Sequence, residues 1–436
     1  MKSLIFLIAA LTFSGSRAQS QKLSGIVRDS KTLESLPGVS ITILESGHIS
    51  GGVSNGEGRF SIISNSKPDS IIFSMIGYRS MRYNLAELPE KDSIIVKLRP
   101  ESKNLNEVVV RPVNVMNIIR EAAGKMNTYV PSGDFESQAF YREIIQDSME
   151  FYSVAEAIFK TQFSVQKKSF RLKLEKGRSK EDVAYTRLFE DYHPGGGPED
   201  AVSQSLSVRL PDFLNTGSLN SYNYKMDSTI AVDDKLVYVI SFDQKPGIRE
   251  ALEKGFVYIN ADDYSLLKFK VSNSPRGTPY IKSLTGMDKI FAGILHIDLT
   301  VKGWGRTVSY IKIGGRLFLS YAKMTYDIGY KQPKKSLDLN LRIHTELVVT
   351  DFQRPIVREI ARGEEWKRKN LVVGLPTDFD PAFWGSSNIL DPTAEVNEIL
   401  SSISKKNREI TVSGIPDDWS YLNKVFLFLT KRKIVR

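Results

Sequence analysis

The chain of 436 residues contains no cysteine. That excludes disulfides, thiolate metal sites, cysteine nucleophiles and a lipid-modified cysteine behind a leader. Stability must come from packed cores, and a chain of this length can build two or three of them. Histidine is scarce, with only His48, His193, His296 and His344. None begins H-x-x-E or H-E-x-x-H, the spacings that set two zinc ligands on one turn. The serine-nucleophile turn G-x-S-x-G is also missing. Beyond the N-terminus no apolar run approaches the roughly 20 residues a membrane helix needs; Val425–Leu429 has only the length of a strand. With no motif for peptidase or hydrolase chemistry, the expectation is a non-enzyme with no cofactor and no metal.

What is present begins with compartment. Lys2 precedes the apolar stretch Leu4–Phe13, and Ser16-Arg17-Ala18 has the small-x-small form of a cleavage site. This predicts a signal peptide over residues 1–18 and an exported chain, periplasmic or associated with an outer membrane, without a membrane-spanning segment. The net charge is +10, with the basic residues spread along the chain. Such a balance permits peripheral contact with anionic lipid or acidic polymer. Nucleic acid is not an expected partner for an exported protein.

Residues 19–100 alternate in short runs between turns: Lys22–Val27, Val39–Leu44, Arg59–Ile63, Ser70–Met75 and Ile94–Leu98. This spacing predicts a small antiparallel sandwich, with Val27, Val39, Ile41, Ile43, Phe60, Ile72 and Tyr78 as its core. Gly58 is placed for a tight turn and Gly77 for a positive φ. The strings Gly25-Ile26-Val27-Arg28-Asp29, Leu36-Pro37-Gly38-Val39, Gly52–Phe60 and Phe73–Tyr78 together resemble the carboxypeptidase-D regulatory-like domain of Bacteroidetes envelope proteins. The resemblance implies an Ig/transthyretin-like accessory sandwich that carries no catalytic residues. Asn104–Val110 resembles the segment joining this sandwich to the plug of TonB-dependent receptors. The residues after it are too few for a plug plus a barrel of roughly 22 strands, so a receptor is not expected.

Residues 101–133 read as a linker and an amphipathic helix, Asn114–Met126, with Val115, Ile118, Ile119, Ala122 and Met126 at helical spacing. Residues 134–352 are mostly strand: Ala139–Ile145, Phe151–Phe159, Lys235–Phe242, Gly255–Asn260, Tyr264–Val271, Leu295–Val301, a hairpin about Gly314-Gly315, and Ser336–Thr350. Long meandering strands predict a curved open sheet, half-barrel-like, with a few covering helices. The segments around Tyr141–Lys160 and Gly255–Val271 resemble the region that follows the sandwich in the same Bacteroidetes proteins. Their strand-turn-strand pattern is similar to half-barrels of the lipoprotein-carrier type. Tyr192–Asp200 reads as a mobile insertion: its glycines are followed by Pro198-Glu199-Asp200, not by the Lys and Ser/Thr of a phosphate loop. Residues 353–436 form a C-terminal extension. Its aromatic-acid cluster, Asp378–Gly385, resembles an F-W-G segment of that family, and a helix is predicted over Thr393–Lys405.

Three constellations are candidates for chemistry. His296 and Asp298 share one predicted strand face, as do His344 and Glu346, and together they would make a metal set if the strands were adjacent. Glu143 and Glu156 are the available carboxylate pair, although Arg142 and Lys160 beside them point to ion pairing. Tyr141, Tyr152, Tyr238, Tyr258 and Tyr321 lie in long strands and would line an apolar cleft for an amphipathic ligand if they faced one concavity. The leading expectation is a binding or assembly protein of the envelope, contacting other envelope proteins through the sandwich, by strand addition at an exposed edge. The alternative is a periplasmic carrier holding a lipid-like or other amphipathic ligand in the curved sheet; an unrecognised hydrolase is the third reading.

Overall fold

A computed structural model describes residues 21–413 except 46, 65–67, 85–92, 102–113, 148–149, 184–196, 284–285, 368–369 and 376–380. The expected leader, the Asn104–Val110 segment, most of the glycine loop, Asp378–Asp380 and the C-terminal tail lie outside these residues. The protein is mainly β, with an N-terminal β domain and a curled antiparallel half-barrel sheet. Among the described residues, no helix is long and apolar enough to cross a membrane.

The N-terminal strands are β1 (Gln21–Asp29), β2 (Ser40–Glu45), β3 (His48–Val53), β4 (Arg59–Ser64), β5 (Ser70–Ser74), β6 (Tyr78–Arg79), β7 (Met81–Asn84) and β8 (Ile94–Pro100). One sheet has the order β4-β1-β8-β6, and β3, β2, β5 and β7 form the other layer. Val27, Val39, Ile41, Ile43, Phe60, Phe73 and Val96 are fully buried between the layers. Ile72 is not among them. It is half-buried, because the period-2 alternation of β5 turns Ile71 and Phe73 inward. Gly58 (φ +75°) lets the turn from Asn55 close against β1, where a Cβ would lie 2.8 Å from the Val27 carbonyl oxygen. Gly77 adopts φ +87°. Tyr78 is also half-buried, and its hydroxyl donates to the Asp29 carboxylate at 3.0 Å.

The large sheet is built from β9 (Phe135–Asp147), β10 (Glu150–Ser164), β11 (Ser169–Glu181), β12 (Tyr222–Val232), β13 (Lys235–Gln244), β14 (Glu253–Asn260), β15 (Leu266–Asn273), β16 (Asp298–Ile313), β17 (Arg316–Gln332) and β18 (Leu337–Arg354). Strands β12 to β18 follow one another as antiparallel neighbours, and β18 continues through β9 and β10 to β11. Among the described residues, four α-helices accompany them: α1 (Val115–Tyr129), α2 (Pro198–Val202), α3 (Gly286–Leu295) and α4 (Ala394–Ser413). The Asn114 side chain caps α1, accepting from the Met116 and Asn117 amides. The predicted strand Leu295–Val301 is corrected: Leu295 ends α3, and β16 begins at Asp298. His296 sits at φ +54° in the left-handed C′ position, with His296 N–H donating to Gly293 (3.2 Å) and Ile297 N–H to Ala292 (2.8 Å). That is a Schellman end, which an apolar pattern alone does not distinguish from a strand start.

The two β units share a sheet. Beyond Val348, the last residue of β18 paired with β17, the ladder passes to β3, with Asp351 opposite Ser50 and Phe352 opposite Ile49. Two residues of the β3 edge are thus paired within the protein itself, while β7 ends that sheet order and β4 and β6 end the other. The joint is braced twice more. Asn388 pairs with both the N–H (2.6 Å) and the carbonyl (3.0 Å) of Ile63. Asp233, at the β12–β13 turn, accepts from Ser80 N–H and Oγ, both at 2.6 Å.

Candidate functional site

Strand alternation divides the large sheet into two faces. The concave face carries the main core, drawn from β9 to β18, and is covered by α1, by residues 197–221 and, beside Phe159, by Trp366, Val372 and Val373. Ile119, Met126, Phe213 and Leu214 of these covers are fully buried. Four polar contacts hold the 197–221 segment against the strands. Tyr224 donates to the Phe213 carbonyl (2.7 Å), Tyr310 to the Gln204 carbonyl (2.8 Å) and Tyr326 to the Asp200 carboxylate (3.3 Å). Glu143 accepts from Tyr141 (2.8 Å) and from the Gly197 amide (3.2 Å). Burial pushes the Tyr224, Tyr310 and Tyr326 hydroxyls well above their usual range, so they remain protonated donors.

At the hairpin end of this face the covers do not close. A cavity of about 390 Å³ opens between the end of α1, the β10–β11 turn and the 206–210 segment. Val130, Pro131, Val165, Leu206, Val208 and Leu210 form its apolar wall. Leu206 belongs to the main core, and Val130, Val165, Val208 and Leu210 pack against it, so wall and core are continuous. Lys168, Arg209 and Arg316 join the polar Asn127, Ser132, Gln166 and Ser207 in the rest of the lining, which contains no acidic residue. Arg316 donates to the Thr128 and Val130 carbonyls, fixing the last turn of α1 to the start of β17. Tyr129 donates to the Asp263 carbonyl, which secures the same end from the β14–β15 turn. The Ser207 hydroxyl is buried in the lining and has no hydrogen-bond partner among the described residues.

The sequence-predicted sites are scattered. Asp298 lies opposite Lys331 of β17, itself opposite Asp338, whereas His344 lies opposite Thr325. Six residues along β18 put His344 roughly 20 Å away at about 3.4 Å per residue. His296 and Asp298 are exposed, and His344 and Glu346 lie on the convex face, where Glu346 accepts from Tyr321 at 2.6 Å. Among the described residues, no three His, Asp or Glu side chains gather as a metal site. Glu143 faces the concavity and Glu156 the convex side, so they do not pair. Lys160 pairs with Glu136 (3.0 Å), not with Glu156. Of the five tyrosines, Tyr141 and Tyr238 pack with the concave core, and Tyr152 belongs to a separate cluster with Ile297 and Tyr330. Tyr258 and Tyr321 point to the opposite face. A helix does follow the glycines, but it is only α2, and the Gly197 amide is already given to Glu143. The cavity residues went unseen because 206–210 reads as irregular chain; the alternation Leu206-Ser207-Val208-Arg209-Leu210 was the available signal.

No curated protein matches the chain. Among solved structures, the chain is similar to a DUF1329 family protein from Desulfovibrio piger, at 12% identity and TM-score 0.27, covering 56% of this chain and 94% of that one. It is similar to a LolA superfamily protein from Nitrosomonas europaea at 14% identity and TM-score 0.20, covering 58% and 98%. Lipovitellin matches at 10% identity and TM-score 0.22, covering 70% of this chain and 35% of its own. Residues 23–110 match the family model described as CarboxypepD_reg-like domain, so the chain carries that domain as its N-terminal sandwich.

Proposed function

We propose that this protein is an exported, non-enzymatic binding protein that holds an amphipathic ligand at the open end of its half-barrel. The observation that carries this reading is the cavity: an apolar wall continuous with the main core, under a rim of polar and basic side chains. Its volume falls at the lower end of ligand pockets, about 300–1,000 Å³. The sandwich is joined to the half-barrel through β3 and β18 and serves as a brace. Export rests on the leader-like Lys2–Ala18 segment. Native mass spectrometry of the protein purified from its own envelope tests the reading. The expected result is an added mass released on unfolding in organic solvent. A bare protein that also retains no amphiphile after incubation with dodecyl-chain ligands sinks it.

A further inference from the structure

The geometry points to a single-chain amphiphile with an anionic headgroup as the occupant of this cavity, the head held at the rim by Lys168 and Arg209; this rests on the binding reading above. Two observations converge on the sign of the charge. The lining holds Lys168, Arg209 and Arg316 and no carboxylate. Two of these cations have charge to offer. Lys168 has no ion-pair partner among the described residues, and Arg209 has only a long contact of 4.0 Å to the half-exposed Asp212. Arg316, by contrast, is occupied by backbone carbonyls. Lys168 is held at φ +48° in the β10–β11 turn, an uncommon conformation for a residue with a Cβ, and its amide donates to the Val165 carbonyl at 3.3 Å, which places its backbone beside the wall.

The volume sets the tail. A cavity of about 390 Å³ lies toward the small end of ligand pockets, which favours a single acyl chain over a two-chain lipid. The chemistry is shared by a fatty carboxylate and an alkyl phosphate.

Isothermal titration of the purified protein with dodecanoate, dodecyl phosphate, dodecanol and dodecyltrimethylammonium, each below its micelle concentration, separates the possibilities. Dodecanol is expected to bind about tenfold more weakly than the anions, the loss of one charge-assisted contact, and the cation weaker still. Tighter binding of dodecanoate assigns a carboxylate head, and tighter binding of dodecyl phosphate a phosphate. The double variant Lys168→Gln/Arg209→Gln should bring the anions down to the level of dodecanol. Lys331→Gln, on the surface elsewhere, should leave them unchanged. Raising the salt concentration should narrow the gap between anion and alcohol. Equal affinity for anion, alcohol and cation would overturn the headgroup assignment while leaving an amphiphile site in place. Failure of all four to bind would remove the binding reading itself. Val208→Trp, checked for folding by circular dichroism, should abolish binding of every ligand by filling the cavity. Anion binding that survives this variant would place the site elsewhere and also overturn the assignment.

Discussion

The concave and convex faces of the large sheet are covered by different chemistry. On the concave side, α1 and the 197–221 segment are held by apolar side chains and by tyrosine hydroxyls donating to Phe213, Gln204 and Asp200. On the convex side, the C-terminal segment is locked over a buried ion triad. Glu156 accepts from Arg142 Nε at 2.8 Å and from Arg178 Nε at 2.9 Å, and all three side chains are buried. Arg142 also donates to the Leu390 carbonyl at 2.7 Å, and Arg178 lies 5.0 Å from the Trp384 ring. A neutral hydrogen bond contributes about 0.5–1.5 kcal/mol, whereas removing one member of a buried ion pair costs about 3–5 kcal/mol. The convex cover is therefore closed and geometrically specific. The concave cover is held by contacts that can be exchanged, and the larger cavity lies on that side, about 390 Å³ against about 130 Å³ beside Gln162 and Ile356 under the C-terminal segment.

The largest expected effect tests the closed side. Glu156→Ala leaves two buried guanidinium groups without a counter-charge and should lower stability by about 3–5 kcal/mol in urea unfolding. A loss under about 1 kcal/mol would mean that the triad does not hold the strap. Replacing all three members with apolar residues should come out close to neutral, because the desolvation cost disappears along with the attraction. On the open side, Leu214→Ala should cost about 2–5 kcal/mol as a cavity beneath the segment. If it also weakens ligand retention while Glu156→Ala does not, the functional division of the two faces is supported. Tyr310→Phe leaves the Gln204 carbonyl without its donor and should cost about 1 kcal/mol. A loss as large as that of Glu156→Ala would erase the contrast between the faces.

The smallest effect is in pH. Burial, with help from the neighbouring Lys323 and Arg342 charges, holds His344 on the convex face below its usual 6.5. The folded state then binds fewer protons than the unfolded chain once the pH falls below about 6.5. This residue's share of stability is complete above that value and is lost as the pH drops toward the lowered folded value. His344→Gln should remove that step from the difference between the two stability curves; curves that stay parallel through this window would show that His344 does not feel its burial.

Much of the fold was legible in local pattern. The Asn114 cap and the spacing of Ile118, Ile119, Ala122 and Met126 announce α1, and the Gly314-Gly315 pair announces the β16–β17 hairpin. Positive φ at Gly58 and Gly77 follows from the turns they occupy. Other elements were not legible. Strand β3 contains Gly51-Gly52, a poor strand signal; it forms because Gly51 lets β2 approach so closely that a Cβ there would lie 2.0 Å from the Ile41 carbonyl oxygen. The end of α3 reads as strand in the sequence because His296 fills a left-handed position that glycine more often marks. The candidate site was the least legible part. The five tyrosines share a strand context, but parity and register distribute them over both faces and three clusters.

By itself, the sequence determined the class of the protein and its local grammar: a chain without cysteine, an N-terminal sandwich, long antiparallel strands and an amphipathic helix. These follow from periodicity, turn chemistry and composition, which act over a few residues. Only the tertiary structure decided that β18 passes from β17 to β3, that Glu156 is clamped between arginines 14 residues before it and 22 after it, and that α1, the β10–β11 turn and the 206–210 segment enclose a cavity with a basic rim. Each of these depends on strand register and on packing between residues far apart in the chain. One residue of slip would turn every side chain of a strand to the other face, and no local pattern records which register wins.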